Sequence, residues 1–157
     1  MKKAALFLLF LSLTVFTACE SGTETPKDAK NNLPKLQVWT VPAQKEKISD
    51  YSKAIKDDLN KNNFEVIVST TDSTAATGKF LVELNYGGNK NSTVKTFPKW
   101  YENNVVKPIV KGMDTLDYGA VIGFDPGDGS FKELYEITVK NKEIKMQQTK
   151  MYGTLVD

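Results

Sequence analysis

The sequence predicts an α+β domain in which a single curved antiparallel sheet carries about two helices on one face. Two observations favour this fold class. The hydrophobic pattern alternates between a period of two and a period of about 3.6 residues. The later segments are joined by links too short for a crossover, so neighbouring strands must pair antiparallel. With 157 residues, 40% of them hydrophobic, the chain suffices for one such domain and a short tail.

The first part of the domain contains a strand and a helix. Residues 36–41 (LQVWTV) form an apolar run typical of a β-strand, and Pro42 ends it. Four apolar residues follow at offsets typical of a helix, separated by lysine and aspartate, and this stripe predicts a helix over residues 44–60. The four are Ile48, Tyr51, Ile55 and Leu59.

Three strands come next. The runs at 64–69 and 79–86 are rich in β-branched and aromatic residues, and a polar loop at 70–78 separates them. A glycine- and asparagine-rich turn at 87–91 then leads to residues 92–97, which are expected to pair with the second run as a hairpin. Alternate apolar residues of that second run share one face. They are Phe80, Val82, Leu84 and Tyr86.

A second helix and three strands complete the predicted domain. Pro98 suits the first turn of a helix over residues 99–107, and Pro108 ends or kinks it. Its apolar residues are Trp100, Tyr101, Val105 and Val106. Three β-type runs follow, separated by the glycine-rich segment 125–130 and by a tight turn at 141–142. The runs cover residues 118–124, 131–139 and 143–152.

The first nineteen residues have the pattern of a cleavable export signal. Two lysines precede an apolar run of 14 residues at 4–17, which is shorter than the roughly 20 residues that a membrane span needs. The run ends in Phe16-Thr17-Ala18-Cys19, which resembles the lipobox of bacterial lipoproteins, although leucine or valine is commoner than phenylalanine at its first position. The resemblance implies cleavage after residue 18 and attachment of a diacylglycerol to Cys19. The alternative is an ordinary secretory signal that happens to end near a cysteine.

The resemblance also implies where the protein works. Its partner would be the membrane, through a diacylglyceryl-cysteine anchor, and its location the bacterial cell envelope. Glu20 follows the cysteine, and in related lipoproteins an aspartate there favours the inner membrane, so glutamate is compatible with the outer membrane. Residues 19–35 would be the lipidated cysteine and a flexible polar tether, and residues 36–157 the single folded domain.

Charge and composition exclude several classes of function. All 21 cationic residues are lysine, and the chain has no histidine and one cysteine. Without Lys2 and Lys3 the chain is formally neutral, which argues against a nucleic-acid partner. One cysteine forms neither an internal disulfide nor a cysteine-based metal site. No glycine-rich phosphate cradle is present, so the sequence implies no metal and no cofactor.

The remaining candidates for catalysis are four aspartates that lie close together in sequence. Paired carboxylates among them would cleave a glycan. They are Asp114, Asp117, Asp125 and Asp128. The alternative is that they cap turns through bonds to backbone amides. The segment from Asp125 fails as a calcium loop, because glycines occupy two positions that need oxygen ligands.

Two further patterns point to binding or modification. Four aromatic residues would form a platform for a sugar ring or a partner protein, or else fill the core. They are Trp39, Phe97, Trp100 and Tyr101. The tripeptides Asp72-Ser73-Thr74 and Asp114-Thr115-Leu116 resemble the sites at which exported Bacteroidetes proteins are glycosylated on oxygen.

The sequence therefore predicts no catalytic residues. It favours a non-catalytic cell-envelope lipoprotein, in which a membrane-tethered domain binds an envelope protein or a glycan. Two alternatives stay open at this point: a periplasmic inhibitor or immunity lipoprotein, and a carboxylate-dependent hydrolase of envelope glycans.

Overall fold

The computed structural model of the protein describes residues 39–56, 58–100 and 103–152. In these residues the chain forms ten strands and one short helix. The first half contains β1 (Lys47–Ala54), β2 (Asn63–Thr70), α1 (Thr74–Thr77), β3 (Lys79–Tyr86) and β4 (Asn89–Thr96). The second half contains β5 (Lys99–Trp100), β6 (Asn104–Val105), β7 (Pro108–Gly112), β8 (Gly119–Phe124), β9 (Lys132–Lys140) and β10 (Glu143–Gln148).

The strands form two antiparallel four-stranded sheets and a small two-stranded pair. The first sheet has the order β1-β2-β3-β4, the second has the order β10-β9-β8-β7, and β5 pairs with β6. The prediction of an α+β fold with a single curved sheet and two covering helices is therefore wrong, because the protein is mostly β. Within the described part of the chain, no helix has the length and apolar composition to cross a membrane.

The first predicted helix is a strand instead. Residues 47–54 pair with β2, and the register shifts by one residue between Lys47 and Ser49. This β-bulge places Ile48 and Tyr51, three positions apart, against the same core and so imitates a helical spacing. The fourth residue of the supposed stripe, Leu59, is 98% exposed. The serine, aspartate and β-branched residues of this segment are also weak helix formers.

The second predicted helix is the β5–β6 hairpin. Trp100 pairs with Asn104, and Asn103 between them has the left-handed φ of 64°. Two consecutive valines follow, whose β-branched side chains favour extended backbone. Pro108 does not end a helix but begins β7, at the edge of the second sheet, where the missing N–H costs no ladder hydrogen bond.

The predicted strands in the rest of the domain are largely confirmed. The run at 79–86 is β3 with the predicted bounds, and three of its four alternate apolar residues are buried while Tyr86 is half-buried. The runs at 64–69, 118–124 and 131–139 match β2, β8 and β9 within one residue. The run at 92–97 belongs to β4, and β10 stops four residues earlier than predicted.

Two other expectations differ from the structure. Residues 39–41, the end of the first predicted strand, are not in a strand, and the rest of that run lies outside the described residues. The predicted polar loop at 70–78 contains the short helix α1, which Gly78 caps in a left-handed conformation.

The inward faces of the two sheets share one core. From the first sheet, Phe64 and Phe80 are fully buried, and from the second sheet Ile122 and Phe124 are fully buried. Phe97, in the link after β4, packs edge-on against Phe80 at 5.0 Å between ring centroids. These side chains fill the interior of the domain, so a ligand would bind in a cleft at its surface.

The two sheets meet along β1 and β7, and we call this line the seam. Both are edge strands of different sheets, so side chains join them. The hydroxyl of Ser49 accepts a hydrogen bond from the backbone N–H of Val110 at 2.8 Å. The ring of Tyr51 lies against Gly112 so closely that a Cβ there would be 2.3 Å from its Cζ atom.

We expect Ser49→Ala to lower the free energy of unfolding by about 1–2 kcal/mol, because the buried Val110 N–H loses its acceptor. Urea unfolding monitored by circular dichroism would measure the change. The matched control is Ser52→Ala on the exposed face of β1, for which we expect less than about 0.5 kcal/mol. Equal effects of the two variants would contradict the seam.

The turn between β9 and β10 offers a stabilising change. Both central residues are left-handed, with φ 51° at Asn141 and φ 64° at Lys142. Asparagine and glycine are the preferred pair in such a turn, so we expect Lys142→Gly to raise the free energy of unfolding by about 0.5–1 kcal/mol. Lys140→Gly changes the last residue of β9, just before the turn, and should lower the free energy of unfolding instead. Thermal unfolding of both variants measures the two effects. A Lys142→Gly protein less stable than the wild type would contradict the left-handed conformation of residue 142.

Candidate functional site

A cleft of about 630 Å³ opens at the end of the domain where β7 begins and β8 ends. We call it the indole cleft, because both tryptophans of the chain, Trp39 and Trp100, line it. The segment before β1, the β5–β6 hairpin, β7 and the β8–β9 loop each contribute to its walls. The other lining residues are Thr40, Val105, Val106, Lys107, Ile109, Asp125, Pro126 and Gly127.

Each indole is supported from behind by a phenyl ring of the core. The ring of Trp39 stacks on Phe80, with 6.1 Å between centroids and 24° between planes. The ring of Trp100 packs on Phe124 at 5.7 Å and 57°. Both phenylalanines are fully buried, whereas both tryptophans are half-buried. The indoles are therefore held in place by the core while part of their surface faces the cleft.

Among the described residues that line the cleft, two carry a charge, Lys107 and Asp125. Lys107 comes directly before β7, and Asp125 directly follows β8, and both residues are exposed. The Oδ1 atom of Asp125 accepts hydrogen bonds from the backbone N–H groups of Gly127 at 2.7 Å and Gly129 at 3.1 Å. These bonds fix the β8–β9 loop and the direction of the carboxylate.

Asp128 caps the same loop. Its Oδ1 atom accepts hydrogen bonds from the hydroxyl of Ser130 at 2.5 Å and from the backbone N–H of Ser130 at 2.8 Å. The bond from the hydroxyl, followed by the bond from the N–H, lowers the pKa of Asp128. A general acid in glycan cleavage needs a raised pKa instead. The geometry of Asp128 is therefore that of a turn cap.

The structure does not bring the four aspartates together. Asp114 and Asp117 lie between β7 and β8, whereas Asp125 and Asp128 lie beyond the opposite end of β8. The six residues of β8 extend about 20 Å, and the paired carboxylates of glycosidases are at most about 9.5 Å apart. Within the described ranges, no group of three or more potential metal-binding side chains comes together.

The aromatic residues singled out in the sequence divide into two groups. Trp39 and Trp100 share the indole cleft, whereas Phe97 is only 2% exposed and belongs to the core. Tyr101 lies outside the described residues, as do residues 1–38, which include the predicted signal, Cys19 and the predicted tether at 19–35. Lys107 and Asp125 were not predicted as parts of one site, because only the fold brings these distant segments together.

No protein-family model, curated protein or solved structure matches the chain. The chemistry of the indole cleft is therefore argued from its own side chains.

The two predicted glycosylation tripeptides lie in different surroundings. In the first, Thr74 is fully buried and its hydroxyl donates a hydrogen bond to the carbonyl of Lys79 at 2.5 Å. The neighbouring hydroxyl of Ser73 lies 3.2 Å from that of Thr71. In the second, Thr115 is exposed in the loop between β7 and β8. Glycosylation of either tripeptide stays a prediction, and Thr115 is more accessible to a modifying enzyme than Ser73 or Thr74.

Proposed function

We propose that the protein is a non-catalytic binding protein of the bacterial cell envelope, anchored in the outer membrane through a lipid on Cys19, and that its domain captures a ligand in the indole cleft. The observation that carries the binding role is the convergence of both tryptophans on one open cleft. Tryptophan is among the residues enriched where proteins bind partners, because its large ring gives much contact area for few lost rotamers.

The shape and chemistry of the cleft support this role. Its volume of about 630 Å³ lies in the usual range for small-molecule sites, and aromatic walls with a few polar groups are typical of them. The indoles keep their orientation without a ligand, since Phe80 and Phe124 support them. A preformed site loses little conformational entropy on binding.

The anchor is supported by the lipobox-like residues 16–19. Two acyl chains, at about 0.8 kcal/mol per buried methylene, hold a protein firmly on a bilayer. We expect labelled palmitate to be incorporated into the protein in cells and to be lost in Cys19→Ala. Label retained in Cys19→Ala, or wild-type protein recovered with a free thiol in the soluble fraction, would contradict the anchor.

The binding role is tested with immobilised full-length protein and a detergent extract of the envelope of its own cells. We expect the wild-type protein to retain a component that Trp100→Ala does not retain. The matched control is Val94→Ala, which shortens a side chain on β4 that is 53% exposed. Equal retention by all three proteins would contradict a binding role for the cleft.

The two alternative functions give different results in the same material. An inhibitor or immunity protein would retain a protein that survives glycosidase treatment and is destroyed by protease. A hydrolase would shorten envelope glycans, and replacement of Asp114, Asp117, Asp125 or Asp128 by asparagine would abolish that activity. Unchanged glycan lengths with the wild-type protein would dismiss the hydrolase.

A further inference from the structure

We infer that the indole cleft is a saccharide site, which binds one end of a neutral oligosaccharide through its pyranose rings. This inference rests on the proposed binding role and adds the chemical class of the ligand. It depends on three properties of the cleft: two supported indole faces, one positive and one negative charge among the described rim residues, and an open position at the end of the domain.

The indole faces match the apolar faces of sugar rings. A pyranose presents axial C–H groups on one face, and these pack on the electron-rich face of an aromatic ring. The ring of Trp39 is nearly parallel to Phe80, so the indole face that does not contact Phe80 is turned away from the core. Trp100 supplies a second aromatic surface in the same cleft.

The rim of the cleft matches the hydroxyl groups of a sugar. Lys107 donates hydrogen bonds and Asp125 accepts them, and a hydroxyl does both. The Oδ1 atom of Asp125 holds the loop, so Oδ2 is the oxygen that a ligand hydroxyl would contact. The backbone amides of Gly127 and Gly129 fix the plane of this carboxylate, which orients it without a ligand.

The charges of the rim favour a neutral ligand. Lys107 and Asp125 carry opposite charges, so their sum is zero and they offer no net attraction to an acidic sugar, an anionic lipid or a nucleic acid. A purely apolar peptide segment would gain no hydrogen bond from either side chain. A neutral ligand with many hydroxyl groups can pack on the indoles and form hydrogen bonds with both Lys107 and Asp125.

The open position of the cleft sets how the ligand is bound. The core behind the indoles is filled by phenylalanine side chains, so a ligand does not enter the interior of the domain. A chain end or a short stretch of glycan therefore rests across the mouth of the cleft, and the remainder stays in solvent. We expect dissociation constants in the micromolar to millimolar range, as for sites with one or two stacked rings.

The experiment uses the tryptophans themselves as reporters. Because the chain has two tryptophans and both line the cleft, tryptophan fluorescence reports on this site with no contribution from a tryptophan elsewhere in the chain. Full-length lipidated protein is prepared in a zwitterionic detergent, since a maltoside detergent would carry a competing sugar. The probes are cellotetraose, maltotetraose, xylotetraose, mannotetraose and, as the charged comparison, tetragalacturonic acid.

We expect at least one neutral tetrasaccharide to shift the emission with saturation, and the acidic tetrasaccharide to bind at least tenfold more weakly. By calorimetry, Trp39→Ala and Trp100→Ala should each weaken binding about tenfold or more. Asp125→Asn should weaken it severalfold, while Val94→Ala should change it less than twofold. Circular dichroism would show that each variant is folded.

Three results would overturn the inference. The first is that no neutral tetrasaccharide binds up to about 10 mM. The second is that the acidic tetrasaccharide binds more tightly, and the third is that removal of both indoles leaves the affinity unchanged. If no tetrasaccharide binds, but the wild-type protein retains a component of the envelope extract that Trp100→Ala does not retain, the saccharide inference is wrong and the proposed binding role is supported. If neither a sugar nor the extract distinguishes wild type from Trp100→Ala, both fail.

Discussion

Replacing Gly123 by alanine is expected to lower the free energy of unfolding by about 3 kcal/mol, the upper part of the usual range for overpacking. An added Cβ would lie 2.2 Å from the carbonyl oxygen of Lys132 and 2.6 Å from Cζ of Phe131. Lys132 pairs with Phe124, so its carbonyl cannot move without disturbing β9. The strands must therefore separate locally. Denaturant unfolding by circular dichroism measures the loss.

Gly119→Ala is the matched control for this change, because Gly119 lies on the same strand. The nearest atoms to its added Cβ are Cδ1 and Cβ of Leu116 at 3.0 and 3.1 Å, and Leu116 lies in the exposed loop between β7 and β8, which can shift by a few tenths of an ångström. We expect this variant to lose less than about 1 kcal/mol. A Gly123→Ala protein as stable as the wild type would show that the register shift between Ile122 and Gly123 is absent in solution.

Replacing Phe80 by alanine is expected to lower the free energy of unfolding by about 3–5 kcal/mol, the usual cost of deleting a buried phenyl ring. Phe80 is fully buried and contacts both Phe97 and the indole of Trp39. Loss of the ring leaves a cavity and removes the support of one cleft wall. Chemical unfolding gives the stability, and the emission of Trp39 in a Trp100→Phe background should move to longer wavelength.

The conservative variant Phe80→Leu separates the two roles of this residue. It keeps most of the buried volume, so we expect a folded protein that loses about 1 kcal/mol. It also removes the flat surface on which Trp39 stacks, so ligand binding in the cleft should weaken more than stability does. An unchanged affinity in Phe80→Leu would show that the stacking does not orient Trp39. Val94→Ala, on the exposed side of β4, should change neither quantity.

Strands in which apolar residues occupy every second position could be predicted from the sequence. In β3, alternate apolar residues from Phe80 onward mark the buried face, and glycine or asparagine residues mark the turns before β4, after β8 and after β9. These signals are local, because the geometry of one strand or one turn produces them. They give the face of a strand that is buried, but not which sheet the strand joins.

Segments in which tertiary structure alters the local pattern could not be predicted. The bulge at Ile48 inserts one residue into β1 and converts an alternating pattern into an apparent helical stripe. Trp100 and Val105 belong to strands of two residues each, which are too short for any period to show. In the sequence, Pro108 indicates the end or a kink of a helix, although a proline suits the start of an edge strand equally well.

The candidate site was partly visible in the sequence. The sequence indicates both tryptophans as members of an aromatic platform or of the core, because large aromatic residues serve both purposes. Phe97 belongs to the same pattern but lies in the core, and no sequence signal distinguishes it from the tryptophans. Lys107 and Asp125 line the same cleft only because β7 and β8 pair antiparallel, with Pro108 opposite Phe124.

The seam has a mechanical consequence for the domain. Backbone hydrogen bonds tie the strands within each sheet, whereas a serine hydroxyl and a tyrosine ring resting on a glycine join β1 to β7. A line held by side chains shears more easily than a ladder of amides. Under mechanical load, the domain should open along this line first, and the amides of β1 should exchange with deuterium before those of β2 and β3.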